Sequence, residues 1–325
     1  MDALAGLLDG PRAREAFVLR ALLDPPWAIR VQDEAPLTLI AMVRGGAHVR
    51  LDEDDEQVTP VPAGAVVVVR GPQPYVVGDA PDTPHQIVVH PGDRCTTLDG
   101  TDLAQPMSLG VRTWGTSATG ATQMLIGTYH LDGEIGRRLL DALPRLVVVG
   151  AEELASPLVP LLATEVARDA PGQEAVLDRL LDLLLIAVLR TWFARPEAGA
   201  PAWVRAHEDP QVGHALRLLH HAPEQPWTVA KLAREVGVSR AQLARRFTAL
   251  VGEPPMAFLT AWRLTLAADL LREPGATIGS VAAQVGYGSP FALSTAFKRH
   301  HGVSPQQFRA GDRAPAAPAA AAHAS

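Results

Sequence analysis

The sequence predicts an α+β protein of two domains: an N-terminal antiparallel β-barrel or sandwich with helices after it, and an all-α C-terminal part carrying two helix-turn-helix units. Three observations predict this. Short apolar runs rich in β-branched residues, punctuated by Gly, Pro and Asp, fill the chain from Trp27 to about His130. Helical periodicity replaces them from Gly133 onward. A pattern of Thr, a β-branched residue, two free positions, Leu or Val, Ala, two free positions, Val and Gly occurs twice, at Thr228–Gly237 and at Thr277–Gly286, offset by 49 residues.

With 325 residues the chain has room for about two cores. Its net charge of −6 is unevenly spread. Residues 209–313 hold 12 Lys and Arg against 7 Asp and Glu, a net +5, which leaves −11 on the remainder. A basic third on an acidic body is the footprint of a nucleic-acid-binding module joined to something else. The single cysteine, Cys95, excludes an intramolecular disulfide and fits a reducing compartment. The N-terminus has no basic-then-apolar pattern, and the best apolar run, Leu183–Leu189, stops at Arg190. A cytoplasmic protein without a membrane partner is expected.

In chain order, Met1–Leu23 is expected to form a helix packed through Phe17, Leu19 and Leu22 and ended by Asp24-Pro25-Pro26. Strands follow at 27–31, 37–43, 47–51, 65–70, 86–90 and 123–129, with Gly45-Gly46 as a tight hairpin. Many short strands without intervening helices point to a sandwich or jelly roll. The acidic run Asp52–Glu56 reads as a solvated loop rather than a cation site. His85, His90 and Cys95 are chemically a zinc-compatible set, and zinc is the cofactor they would hold. Against that, His85 and His90 fall on opposite faces of a strand, and ordinary edge histidines with a small core cysteine account for the same residues. Trp27, Trp114 and Tyr129 are candidates either for an effector pocket or for the core, and the effector-binding residues are otherwise unassigned.

Helices are expected at 134–143, 152–168 and 174–193. In the last, Leu177, Leu180, Leu181, Leu184, Leu185, Val188 and Leu189 cover more than one narrow stripe. Such a helix must be buried on two sides, by a second copy of the chain or wholly within its own domain. These helices complete an N-terminal domain over 1–195, a linker follows at 196–208, the helix-turn-helix domain covers 209–310, and the Ala/Pro-rich 311–325 is an expected disordered tail.

Each repeat reads as a short helix capped by Thr and ended by Gly, then a corner, then a second amphipathic helix beginning at Ser239 or Ser289. A second helix of this kind can enter a DNA major groove. Leu232, Val236, Leu243 and Phe247 form one small core, and Val281, Val285, Leu293 and Phe297 the other. Between them a helix started by Pro254-Pro255 and stopped before Pro274 would run about 24 Å. Successive major grooves recur at about 34 Å, so one monomer would read two of them.

The segment Gly286–Arg309, and the double unit from about Asp209 to Arg309, resemble the AraC/XylS family of bacterial transcription regulators. Val61-Pro-Ala-Gly64 followed by Gly71-Pro-Gln-Pro-Tyr75 resembles the second motif of the cupin barrel, which serves as the sensor domain in a subset of that family. The resemblance implies a cupin-like sensor and dimerisation domain joined to a seven-helix DNA-binding domain. By motif position it places Arg240, Ala241, Gln242, Ala244 and Arg245 in one groove and Pro290, Phe291, Ser294 and Thr295 in the other.

Pro290 and Phe291 offer no hydrogen bonds to base edges, so the second helix is expected to read thymine methyls and phosphates. Arg240, Arg245, Arg246, Lys298 and Arg299 would supply phosphate contacts or base readout, with Ser239 and Ser289 at the helix starts. The partners implied are a double-stranded promoter operator, a small-molecule effector, a second copy of the chain and, for an activator, RNA polymerase. Metal-binding cupins carry a histidine near the position of Tyr75 and a close His pair near His48; both are absent, which favours a binding barrel over an enzyme. A cupin metalloenzyme with a DNA-binding appendage is the alternative, and a constitutive architectural binder a third possibility.

Overall fold

Thirteen short strands among the described residues build two facing sheets. They are β1 (Val18–Leu23), β2 (Ala28–Val31), β3 (Leu37–Arg44), β4 (Ala47–Leu51), β5 (Val58–Val61), β6 (Val66–Arg70), β7 (Tyr75–Gly78), β8 (Ile87–His90), β9 (Arg94–Thr97), β10 (Ser108–Gly110), β11 (Thr113–Gly115), β12 (Thr122–Tyr129) and β13 (Leu146–Val149). This computed structural model describes residues 18–52, 57–92, 94–129, 133–195 and 200–312. Contacts divide the chain into two compact units, one built chiefly from residues 7–200 and the other chiefly from 201 onward.

One sheet runs β10-β11-β1-β12-β3-β6-β13 and the other β5-β4-β7-β2-β8-β9. Inward residues alternate along each strand, as the two-residue period requires, and Leu23, Trp27, Met42, Val67, Val77 and Met124 share one core. Pairing is antiparallel except for β1 with β11 and β2 with β8.

Three expectations are corrected here. Val18–Leu23 is a strand, not the end of a helix, while Met1–Phe17 lie outside the described residues. Six apolar-rich residues fit either period, and pairing with β11 and β12 decides it. Gly45-Gly46 does not close a hairpin, because β3 and β4 belong to different sheets. The left-handed Gly45 turns the chain from one layer to the other. The helix expected at 152–168 breaks into α2 (Ala151–Leu154) and α3 (Leu158–Val166), after α1 (Glu134–Asp141). Pro157 cannot continue the first piece, and Ala155 takes a left-handed conformation to end it.

Helix α4 (Gln173–Phe193) and α3 pack together, α3 against β1 and β3 and α4 against β13. They cover the outer face of the first sheet, which explains why both faces of Leu37–Met42 are buried. Gly127 lets α4 approach closely: a Cβ there would lie 2.8 Å from Leu181 Cδ2. Leu177, Leu180, Leu181, Leu184, Leu185, Val188 and Leu189 are all buried within the single chain. The two-sided burial expected of α4 is therefore met by its own domain.

Tyr129 Oη donates to the Leu181 carbonyl at 2.9 Å from a fully buried position, tying β12 to α4. Tyr129→Phe is expected to lower stability by about 1 kcal/mol. Denaturant unfolding would read this as a lower midpoint at unchanged slope.

Candidate nucleic-acid interface and sensor cavity

The second unit contains α5 (Ala202–Arg205), α6 (Pro210–His221), α7 (Val229–Glu235), α8 (Arg240–Val251), α9 (Pro255–Leu270), α10 (Ile278–Gln284), α11 (Pro290–His301) and α12 (Pro305–Asp312). The helices α7–α8 and α10–α11 are the two copies of the repeat. Thr228 Oγ1 accepts from Lys231 N at 3.1 Å, and Thr277 Oγ1 from Ser280 N at 3.0 Å. Ser280 Oγ in return accepts from Thr277 N at 3.0 Å, completing a capping box. After each first helix the chain reverses through a left-handed glycine, Gly237 or Gly286. Val238 N then bonds Ala233 O at 3.0 Å, and Tyr287 N bonds Ala282 O at 2.8 Å. These are corresponding positions, so the repeat in sequence is a repeat in hydrogen bonding.

Each second helix starts at a serine whose hydroxyl accepts from the backbone: Ser239 from Gln242 N at 3.2 Å, Ser289 from Ala292 N at 3.1 Å. Leu243, Phe247, Leu293 and Phe297 are buried. Arg240, Arg245, Thr295, Lys298 and Arg299 are exposed, and Gln242 and Ser294 are half-buried. Phe291 is 81% exposed, the barest of the large apolar side chains among the described residues. Each second helix thus turns its Leu and Phe into its core and leaves these polar and basic side chains exposed or half-buried.

Helix α9 belongs to both cores. Phe258 and Leu259 pack with the first unit; Leu264, Ala267, Ala268 and Leu271 pack with the second. Arg263, between these sets, donates Nε to Pro223 O at 2.7 Å and Nη2 to Gln225 O at 2.8 Å. Its guanidinium also lies 6.0 Å from the centre of the Tyr287 ring. A Cβ at Gly286 would lie 2.6 Å from Glu224 O and 2.7 Å from Arg263 Nη2, so only glycine fits this close approach.

Arg246 is placed differently from the other candidates. Its Nε donates to Asp209 Oδ2 at 2.7 Å, and Asp209 in turn caps α6 by accepting from Gln211 N and Val212 N at 3.0 and 2.9 Å. Burial raises the Asp209 pKa, but the Val212 amide, Arg246 and the Gln211 amide together hold it below the ordinary carboxylate value. Arg246 is therefore a brace between α8 and α6.

In the first unit, a cavity of about 250 Å³ opens between the sheets. Its wall uses alternate residues of each strand: Ile29 and Val31, Thr38 and Ile40, Tyr75 and Val77, Met124 and Ile126. Asp33, Cys95 and Trp114 complete the parts of the wall that bear on chemistry. Tyr75 is buried in this wall, and burial, with the Asp33 charge added, pushes its phenol pKa well up, against a hydrogen bond with Thr38.

A cupin family model matches residues 2–194, more than half of the chain, and a helix-turn-helix domain model matches residues 232–311. A putative AraC-like transcription regulator of Streptomyces lividans is 31% identical over 95% of this chain and 98% of its own length. The HTH-type transcriptional regulator AlkR of Acinetobacter baylyi is 30% identical over 95% and 99%. The DNA-binding domain of AdpA, a global transcriptional factor solved with a target DNA, is 36% identical over 33% of this chain and 95% of that one, at a TM-score of 0.31. The chain is an AraC-like transcription regulator with an N-terminal cupin domain.

In this AraC-like regulator the proposed zinc set is not assembled. Cys95 pairs with Val89 across β8 and β9, and both line the cavity. His90 lies on the opposite face of the sheet, with Nδ1 3.3 Å from Gln32 Nε2 and Nε2 2.9 Å from Thr96 Oγ1. No group of three or more His, Cys, Asp or Glu side chains able to hold a metal occurs among the described residues. Asp52 pairs with Arg30 at 2.9 Å, and the rest of the acidic run lies outside the described residues, as do linker positions 196–199 and the tail from 313. Of the three pocket candidates Trp114 lines the cavity, whereas Trp27 and Tyr129 are core. No described helix is long and apolar enough to cross a membrane.

The Asp209 cap gives a pH prediction. A carboxylate with a depressed folded pKa contributes stability above its ordinary value of 3.8 and loses it as pH falls through the folded value. Asp209→Asn keeps the cap but not the charge. Its deficit against wild type, less than about 1 kcal/mol because Arg246 is half-exposed, is expected at neutral pH and to shrink as pH falls below 3.8, disappearing only below the depressed folded value. Urea unfolding of both proteins at pH 7 and pH 3 measures it.

Proposed function

We propose that this regulator reads two successive major grooves of one operator with α8 and α11, and that a small molecule held in the barrel cavity modulates the binding. The carrying observation is the joint core: α9 fixes both exposed second helices in one rigid body, as reading two grooves on one DNA face requires. Arg240, Gln242 and Arg245 supply hydrogen-bonding readout from α8. Pro290 and Phe291 supply apolar contact with thymine methyls from α11, with Ser294 and Thr295 beside them, while Lys298 and Arg299 contact phosphates. Ser239 and Ser289 add hydroxyl contacts at the helix starts. The 209–310 segment acts as the DNA-binding domain and 1–195 as the sensor; of the linker expected at 196–208, Ala202–Arg205 is helical and Ala206 is buried in the first helix-turn-helix core, so that part belongs with the DNA-binding domain. The barrel binds rather than catalyses; its apolar wall and scattered histidines supply no metal-activated nucleophile.

The protein acts as a homodimer in the cytoplasm. Val176 and Leu183, one heptad apart on α4, and Leu161 on α3 are exposed apolar residues suited to a second copy. Leu183→Glu is expected to shift the mass measured by sedimentation from dimer to monomer.

The first test is recovery of genomic fragments retained at moderate salt. A shared site with two contacts one helical turn apart is the expected result, and no enrichment over random fragments would overturn the two-groove proposal. On that site Lys298→Ala should weaken binding to all sequences and reduce the salt slope by about 1. Gln242→Ala or Arg245→Ala should cost about 1–3 kcal/mol and relax specificity at one position. Replacing thymine by deoxyuracil under α11 should cost the wild type about 0.8 kcal/mol per lost methyl and Phe291→Ala nothing.

A further inference from the structure

Along one side of α11 the chemistry runs from a bare ring through two hydroxyls to an ammonium. Phe291, Ser294, Thr295 and Lys298 stand at i, i+3, i+4 and i+7, so they follow one another along the helix. Leu293 and Phe297, which fill the core, lie about 200° and 240° round the axis from Phe291. Ser289 and Pro290 fix the helix start, the serine hydroxyl by accepting from Ala292 N, and the phenyl ring, 81% exposed, leaves a set backbone. The groups that follow the ring are hydroxyls, and a hydroxyl turns either to donate or to accept. In the major groove an A·T pair and a pair of guanine with 5-methylcytosine differ only in the sense of their hydrogen-bonding groups, O4 against N4 and N6 against O6. The C5-methyl group, which a phenyl ring senses, is common to both.

We propose that α11 reads the methyl group of a pyrimidine rather than the identity of the base, so that 5-methylcytosine replaces thymine at that point of the operator and methylation of a cytosine there raises the affinity. This rests on the proposal that α11 enters a major groove, and adds a modified base to what that surface binds. Helix α8 does not share the tolerance, because the guanidinium groups of Arg240 and Arg245 donate and never accept.

The full-length protein is first used to select its site from random-sequence duplexes, and a thymine-to-uracil scan of that site locates the methyl that the wild type senses and Phe291→Ala does not. At that position the duplexes compared by titration carry A·T, A·U, inosine·5-methylcytosine or inosine·cytosine, inosine keeping the minor groove free of the guanine N2 amine. A·T and inosine·5-methylcytosine should each bind about fourfold more tightly than the unmethylated counterpart, the worth of one methyl group, and within about twofold of each other. Phe291→Ala should bind all of them within about twofold, while a base change beneath Arg245 costs it as much as it costs the wild type. Thr295→Val, which removes a hydroxyl and keeps the shape, should leave the two methylated duplexes equivalent. 5-Methylcytosine bound as weakly as cytosine, with thymine still preferred to uracil, would overturn the inference and leave the two-groove proposal standing. So would the absence of any thymine whose methyl is sensed through Phe291. A selected site with one contact instead of two, or no selected site, would defeat the two-groove proposal and this inference with it.

Discussion

The DNA-binding unit depends on α9 being shared. Two helix-turn-helix motifs on a flexible chain would each lose orientational freedom on meeting DNA, a cost that weakens binding. Here one helix contributes its first half to one core and its second half to the other, and Arg263 ties the approach to the first motif to the turn of the second. Gly286 follows from the same constraint, since the Glu224 carbonyl and the Arg263 guanidinium occupy the space a side chain would need. The orientation cost is met during folding.

The two second helices are alike in backbone and unlike in chemistry. Both are capped by serine and held by Leu and Phe at matching positions. One exposes guanidinium and amide groups, the other a proline, a bare phenyl ring and then a basic end. Hydrogen-bonding groups distinguish base edges sharply, whereas an apolar ring senses methyl groups and shape. That difference is the ground for the proposed division of labour along one operator.

The barrel shows why its cavity was harder to foresee. Strands such as Leu37–Met42 are apolar on both faces, because one face meets the opposite sheet and the other meets α3 and α4. Strict alternation, which would have separated cavity-facing from outward residues, is therefore absent. Ile40 faces the cavity and Leu39 does not, yet the two are equivalent as letters. Cys95 and His90 likewise sit close in sequence and on opposite faces of the sheet. Strand direction and pairing decide such questions, and neither is local.

The DNA-binding unit was largely legible before any coordinates, because its determinants are short-range: Thr and Ser caps, Gly turns, and apolar residues three and four apart. The repeat at an offset of 49 residues carried both the motif and its duplication. The strands at 37–44, 47–51 and 122–129 were visible for similar reasons. Long-range partners settled the remainder. Val18–Leu23 is a strand because β11 and β12 flank it, Gly45 is a crossing between sheets because β3 and β4 pair elsewhere, and α4 finds burial inside its own domain. Arg246 shows the same limit at the level of a single side chain: its spacing fits a phosphate contact, but Asp209, 37 residues away, holds it. Local propensity acts over a few bonds, whereas charge pairing, sheet order and cavity walls depend on which distant segments the folded chain brings together.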